Sequence, residues 1–296
     1  ASTPDNRDVW FNTNFNSPVA CGESEDNSNP RCMCWVGPSC GNTNASEPNP
    51  SDCMCGTKIC SLDDGLNCVS GTSTCLPLPK CDFSDEVSGD HIVPGTTGCM
   101  LSKMITIDGT TASQKTMHLS SSETGSLAIV NREPAACTPL AGDGGACRLF
   151  KVMNGGELYL FWIHLFGGKV AVKNDYSAID DSHGGLVYLN GALSLMHAVG
   201  SMFGTGSVDI APTEKAAWSG GAICARAGPT VILEDSGVIG NWADSEGGGI
   251  TASLDITLSL TRSIVSGNKI TTSSSSAGGG GIAVVANSLF TAVDST

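Results

Sequence analysis

The sequence predicts an all-β chain: a right-handed parallel β-helix, a solenoid of short stacked strands, behind a small disulfide-stapled domain. Three observations predict it. Cysteines crowd the first part of the chain. Glycine pairs followed by an aliphatic residue recur through the second part. One six-residue pattern in that second part repeats after 27 residues. The composition changes near residue 88, which divides the chain into a cysteine-rich domain at 1–88 and a β-helix at 89–296.

Ten of the 14 cysteines are Cys21, Cys32, Cys34, Cys40, Cys53, Cys55, Cys60, Cys68, Cys75 and Cys81; the others are Cys99, Cys137, Cys147 and Cys224. A reduced cytosolic protein does not carry thiols at that density. All 14 are disulfide candidates in an oxidising compartment, which places the chain outside the cell or on its surface. Few aliphatic residues lie between Cys21 and Cys81, so bridges must replace a core there. Cys32-Met33-Cys34 and Cys53-Met54-Cys55 mark a short internal duplication. No Cys-x-x-Cys pair supports zinc. Asn44-Ala45-Ser46 is a glycosylation sequon in a polar, Pro-rich stretch, so Asn44 is a candidate glycan site.

The net charge is −14, and the first hundred residues hold 13 acids against 4 bases. Nucleic acid is excluded as a partner, because phosphate binding needs a basic surface. Calcium is the one ion this acidity suggests, yet Asp63-Asp64 and Asp85-Glu86 are too short to specify a site, and the sequence calls for no cofactor. The longest apolar run, Leu158 to Phe166, is nine residues. That is half of the roughly 18–20 a membrane span requires.

From residue 91 the texture is that of strands and turns. Ile105-Thr106-Ile107-Asp108-Gly109 alternates β-branched and polar residues before a turn. Glycine pairs stand at 155–156, 184–185, 220–221, 248–249 and 280–281, each before an aliphatic residue, which at 155–156 follows only after Glu157. Ser236-Gly237-Val238-Ile239-Gly240-Asn241 matches Ser263-Ile264-Val265-Ser266-Gly267-Asn268. Upstream, Val231-Ile232-Leu233 aligns with Leu258-Ser259-Leu260, and Leu193-Ser194-Leu195 and Leu158-Tyr159-Leu160 read as divergent copies. No unit of this size can bury its apolar patches alone. Stacked as coils about 4.8 Å apart, the units share one interior. Glycines then serve the corners, and Asn241 and Asn268 form a structural ladder from coil to coil.

These motifs resemble a known family. Gly220-Gly221-Ala222-Ile223, Val238-Ile239-Gly240-Asn241, Gly247-Gly248-Gly249-Ile250, Val265-Ser266-Gly267-Asn268 and Gly280-Gly281-Ile282 are similar to the repeats of polymorphic outer membrane proteins and related pectin-lyase-like proteins. Val238 and Val265 stand where that family usually has Phe. The cysteine spacing loosely resembles epidermal-growth-factor-like modules. The family resemblance implies a β-helix and surface exposure; it does not imply catalysis.

No catalytic constellation is legible, and no metal ligands. Asp180-Asp181-Ser182-His183 before Gly184-Gly185 superficially resembles polygalacturonase motifs. Those lie on separate coils, whereas these run together, as in a solvated turn. His164 and His197 sit within apolar runs and read as satisfied or outward-facing side chains. Trp162, Trp218 and Trp242 suit either a carbohydrate-stacking face or packing. The sequence therefore predicts an extracellular structural or adhesive protein, a building block of a surface filament, appendage or wall layer. A polysaccharide lyase or hydrolase and a receptor- or carbohydrate-binding module are the alternatives. Ser288 to Thr296 reads as the start of a further coil, so the sequence predicts a chain truncated or continued beyond 296. The predicted partners are other copies or subunits, met through an open C-terminal coil and the cysteine-rich domain, and possibly glycans.

Overall fold

The computed structural model describes residues 10–11, 32–33, 53–55, 58–60, 66–69, 74–77, 79–81, 83, 88–94, 98–110, 115–132, 148–168, 183–204, 217–270 and 278–296. Asn44, Cys21, Cys34, Cys40, Cys137, Cys147, Asp63-Asp64, Asp85-Glu86 and Asp180-Asp181 lie outside these residues. Among the described residues of the cysteine-rich part the backbone forms three small pairings. Trp10–Phe11 runs parallel to Cys32–Met33. Cys53–Cys55 is antiparallel to Lys58–Cys60, with Cys53 opposite Cys60. Leu66–Val69 is antiparallel to Thr74–Pro77, with Cys68 opposite Cys75.

From residue 89 onward the described residues are strands and turns, without a helix. The strands are parallel and fall into three long sheets, each ordered as the chain runs, which is the arrangement of a β-helix or solenoid. Sheet A holds Gly89–Val93, Thr116–Ser121, Glu157–Phe161, Leu195–Val199, Thr230–Glu234, Thr257–Thr261 and Leu289–Val293. Sheet B holds Cys99–Leu101, Ala128–Arg132, Ile163–Phe166, Met202–Gly204, Gly237–Ile239 and Ile264–Ser266. Sheet C holds Ile105–Asp108, Phe150–Met153, Val187–Asn190, Ile223–Arg226, Ile250–Ser253 and Ile282–Val285. A short lateral sheet of Ala217–Ser219, Trp242–Glu246 and Lys269–Ile270 lies between B and C in the later coils.

Alternation decides what is buried. In sheet A, every second residue points inward: Met117, Leu158, Met196, Val231 and Leu258 form one fully buried column. Leu119, Leu160, Ala198, Leu233 and Leu260 form the next. One contiguous core runs from Val93 to Leu260. Equivalent positions on successive coils are 28, 41, 38, 35, 27 and 32 residues apart. From the third coil onward nearly all of this variation falls between sheets B and C, where extra residues leave the columns intact.

The glycine pairs occupy a corner just before sheet C. Gly184, Gly220 and Gly247 have φ of 66°, 64° and 51°. A Cβ on Gly220 would stand 2.3 Å from the Ile223 carbonyl oxygen. The second glycine fails differently: a Cβ on Gly221 would stand 2.1 Å from the Gly248 carbonyl oxygen of the next coil. The first is therefore required by backbone conformation and the second by coil-to-coil approach. Gly155-Gly156 is a correction to the sequence reading. It belongs to the other corner, leading into sheet A, where a Cβ on Gly156 would meet the Ile107 carbonyl oxygen at 2.5 Å. Leu193-Ser194-Leu195 is a second correction. The residues in register with Val231-Ile232-Leu233 are Met196-His197-Ala198. Leu193 instead turns the corner at φ 68° and is 84% exposed.

Cys81 bonds Cys99. The bridge crosses the division drawn at residue 88, so the ten clustered cysteines do not pair among themselves alone. Residues 79–81 lie parallel beside Met100: Cys81 N–H donates to the Met100 carbonyl at 2.8 Å, and Met100 N–H to Pro79 at 2.7 Å. Phe83 packs on the core and its ring meets His91 at 5.2 Å. Cys224, the other cysteine whose side chain is described, is fully buried in sheet C between Tyr188 and Thr251.

Candidate functional site: buried ladders and the outer face of sheet A

Two kinds of polar grouping exist on this scaffold. The first is internal. At the corner from A to B the chain uses one left-handed residue followed by a buried serine: Gly200-Ser201, Asp235-Ser236 and Arg262-Ser263, with Asp294-Ser295 repeating the turn. The Ser236 hydroxyl accepts from Ser201 N–H at 3.1 Å and donates to the Glu234 carbonyl at 2.7 Å. Ser263 does the same for Ser236 N–H at 3.2 Å, and Ser295 for Ser263 N–H at 3.0 Å. Each hydroxyl satisfies a backbone group that the bend would otherwise leave unpaired in the core. The sequence repeat pairs Ser236 with Ser263 but gives neither a role, and it does not reach Ser201.

The asparagines lie at the far end of sheet B. Asn241 Nδ2 donates to Asn268 Oδ1 at 3.0 Å and to the Phe203 carbonyl at 3.0 Å. Asn268 Nδ2 donates to the Val238 carbonyl at 2.8 Å. Asn268 Oδ1 also accepts Asn241 N–H at 2.9 Å. The two amides thus bind coil to coil. In the previous coil the path is completed by Gly204, where a Cβ would stand 2.5 Å from the Asn241 amide.

His164 is half-buried, its Nε2 lies 2.7 Å from the Gly204 carbonyl oxygen, and desolvation lowers its pKa below the usual histidine range. A carbonyl oxygen only accepts, so Nε2–H is the donor. Arg148, 1% exposed, donates to the carbonyls of Gly184 and His183 and lies over the Tyr188 ring at 4.8 Å. It stands where later coils have Gly185, Gly221 and Gly248.

The second grouping is external, on the outward face of sheet A. Asp90, His118, Tyr159 and His197 occupy one column on four successive coils. His118 Nδ1 lies 2.8 Å from Asp90 Oδ1, and His118 meets the Tyr159 ring edge-on with centroids 4.6 Å apart. Tyr159 and His197 are 6.1 Å apart. The Tyr159 hydroxyl donates to Glu157 at 3.3 Å, Thr116 donates to the same carboxylate at 3.1 Å, and His197 Nε2 lies 3.2 Å from Glu234. Desolvation, then the Glu157 charge beside it, raises the Tyr159 pKa. Trp162 borders this face. It holds φ 58°, uncommon for so large a residue. The missing Cβ of Gly200 would sit 2.6, 2.7 and 2.8 Å from three atoms of its ring, which only a position over the ring face gives.

Among the described residues no group of three or more His, Cys, Asp or Glu could hold a metal ion, and no helix is long and apolar enough to cross a membrane. The fold and these groupings define a class, an all-β parallel solenoid with hydrogen-bonded corners. No family model matches the chain, no curated protein matches it, and no solved structure matches it. The resemblance to polymorphic outer membrane repeats therefore rests on its glycine and asparagine motifs.

Proposed function

We propose that this chain is an extracellular or cell-surface structural or adhesive protein, working without catalysis as a building block of a filament, appendage or wall layer. The solenoid in this reading is a right-handed, pectin-lyase-like β-helix, because parallel β-crossovers take that hand in about 98% of cases. A disulfide-rich module precedes it. The single observation that carries the reading is the direction of the buried polar groups. Serine hydroxyls and asparagine amides bond along the stack to the preceding coil's backbone. Such groups lend stiffness to a rod and leave little free to act on a substrate. The cysteine content supports an oxidising compartment.

Two measurements test the proposal. Electron microscopy and sedimentation of concentrated protein should show end-to-end particles, and a strictly monomeric rod at every concentration contradicts assembly. Incubation with pectin, alginate and related polymers should yield no unsaturated products or new reducing ends. Their appearance would restore the lyase or hydrolase reading.

A further inference from the structure

We propose that residues 79–81 with Phe83 form a lid over the first coil, that the Cys81–Cys99 bridge locks it, and that a dithiol reductant opens it without unfolding the coils behind. The inference goes beyond the assembly reading above and stands on the fold alone. Coverage is the first argument. The inward residues of the first coil are as deeply buried as those in mid-stack: Val93 and Ile107 fully, Cys99, Leu101 and Ile105 nearly so. An end coil with nothing on it would leave such residues open to water. Cys81 and Phe83 are the described residues from ahead of the coils that pack on this core. Cys99 heads the inward column of sheet B, in register with Val130, Leu165, Phe203 and Val238. The Phe83 ring meets His91, which stands in register with Leu119 in the inward column of sheet A. The lid thus reaches two of the three sheets.

The second argument is how little else holds the lid. Within sheet B, Ala128–Arg132 meets Ile163–Phe166 over four residue pairs. The lid meets the same sheet through Lys80 and Met100 alone, with two backbone hydrogen bonds. Pro79 and Lys80 are exposed, and Cys81 and Phe83 are half-buried. Short pairings of this kind open first in a folded chain. The bridge spans 18 positions of sequence and keeps an opened lid within reach of its seat. The third argument is chemistry. A thiolate of the reductant attacks the sulfur of Cys81, the more accessible partner; a mixed disulfide forms, and the Cys99 sulfur leaves and takes up a proton. The second thiol of the reductant then displaces Cys81. Two electrons have passed to the bridge, two cysteine thiols result, and the reductant ends as a disulfide. Oxidising surroundings reverse these steps and keep the lid shut.

Hydrogen exchange on the whole chain tests this, with dithiothreitol as the reductant and with Cys81→Ser combined with Cys99→Ala, which creates no odd thiol. In the double variant, exchange at the amides of positions 81 and 100 should rise about tenfold or more, while Thr230–Glu234 and Thr257–Thr261 exchange as before. Dithiothreitol should give the wild-type chain the same local rise and add nothing at these two amides in the variant. Unchanged exchange at both amides in the double variant overturns the proposal, because the lid then holds without the bridge. A rise that spreads to Thr257–Thr261, or a variant that does not fold, also overturns it, because the bridge is then a staple of the whole fold. So does a reductant effect at these amides as large in the variant as in the wild type, which traces the opening to other bridges. None of these results touches the assembly reading, which falls on product formation or on a strictly monomeric rod.

Discussion

The coils from Thr230 to Asn268 and those from Cys99 to Asn190 have one architecture and two ways of holding it. The later coils turn from A to B through a left-handed residue and a serine, and close the B corner with Asn241 and Asn268. The earlier ones lack this regularity. Trp162 keeps the left-handed turn at φ 58° but Ile163 takes the serine's place, the preceding coil spans Ser121 to Ala128 with a longer turn, and Arg148 fills a glycine position. What both share is the apolar column. A column tolerates Leu, Met, Val or Phe, whereas a hydrogen-bonded corner tolerates almost one residue. Polar corners therefore conserve sequence within a chain, and packed columns conserve only pattern.

The largest contrast should come from the glycine corner. Gly248→Val places a Cβ within 2.2 Å of the Gly280 carbonyl oxygen and 2.4 Å of that of Lys269. Backbone cannot yield as a side chain does, so a loss of about 3 kcal/mol or more is expected. Equilibrium denaturation would show it, or the variant will not accumulate folded. Next is the apolar column of the earlier coils. Leu160→Ala empties a fully buried site and should cost about 2–5 kcal/mol. Ser236→Ala tests the later coils. It strands the buried Ser201 N–H and should cost about 1–3 kcal/mol. If Ser236→Ala costs as much as Leu160→Ala, corners and columns do not differ as described.

The pH response of His164 sharpens the same comparison in the middle of the stack. Its folded pKa is lowered by burial, so the unfolded chain binds the proton more readily. Its contribution is fully present above the unfolded value of about 6.5 and is lost as pH falls below it. His164→Gln, which keeps a donor for the Gly204 carbonyl, should flatten the melting temperature between pH 7 and pH 5. The smallest effect belongs to Arg262→Ala. Its paired 2.7 Å contacts with Asp235 hold that carboxyl below its usual range, but both partners face solvent. Melting temperature should barely move, and less still in high salt.

These differences explain what could be read in advance. The all-strand solenoid was legible because Val231-Ile232-Leu233 and Leu258-Ser259-Leu260 repeat in register with polar corners beside them. The wrong placement of Leu193-Ser194-Leu195 has a physical cause. Its leucines copy the pattern of a column, but Ser194 serves the corner, accepting Gly155 N–H at 3.1 Å, and Leu193 faces solvent. The outer face of sheet A was barely legible. His118, Tyr159 and His197 are 41 and 38 residues apart, and irregular insertions hide that they share a column. The Cys81–Cys99 bridge was beyond cysteine arithmetic, which counts thiols and cannot order them in space.

The register of the irregular coils is the central claim, and cross-linking tests it most directly. Neighbouring parallel strands place paired residues within the usual Cα range of a disulfide, about 4.4–6.8 Å. Leu195→Cys with Thr230→Cys pairs residues that stand opposite each other in sheet A. Peptide mapping without reduction should recover a bond between positions 195 and 230. A bond formed instead by Ser194→Cys with Ile232→Cys, the pairing that the leucine pattern suggests, would contradict this account.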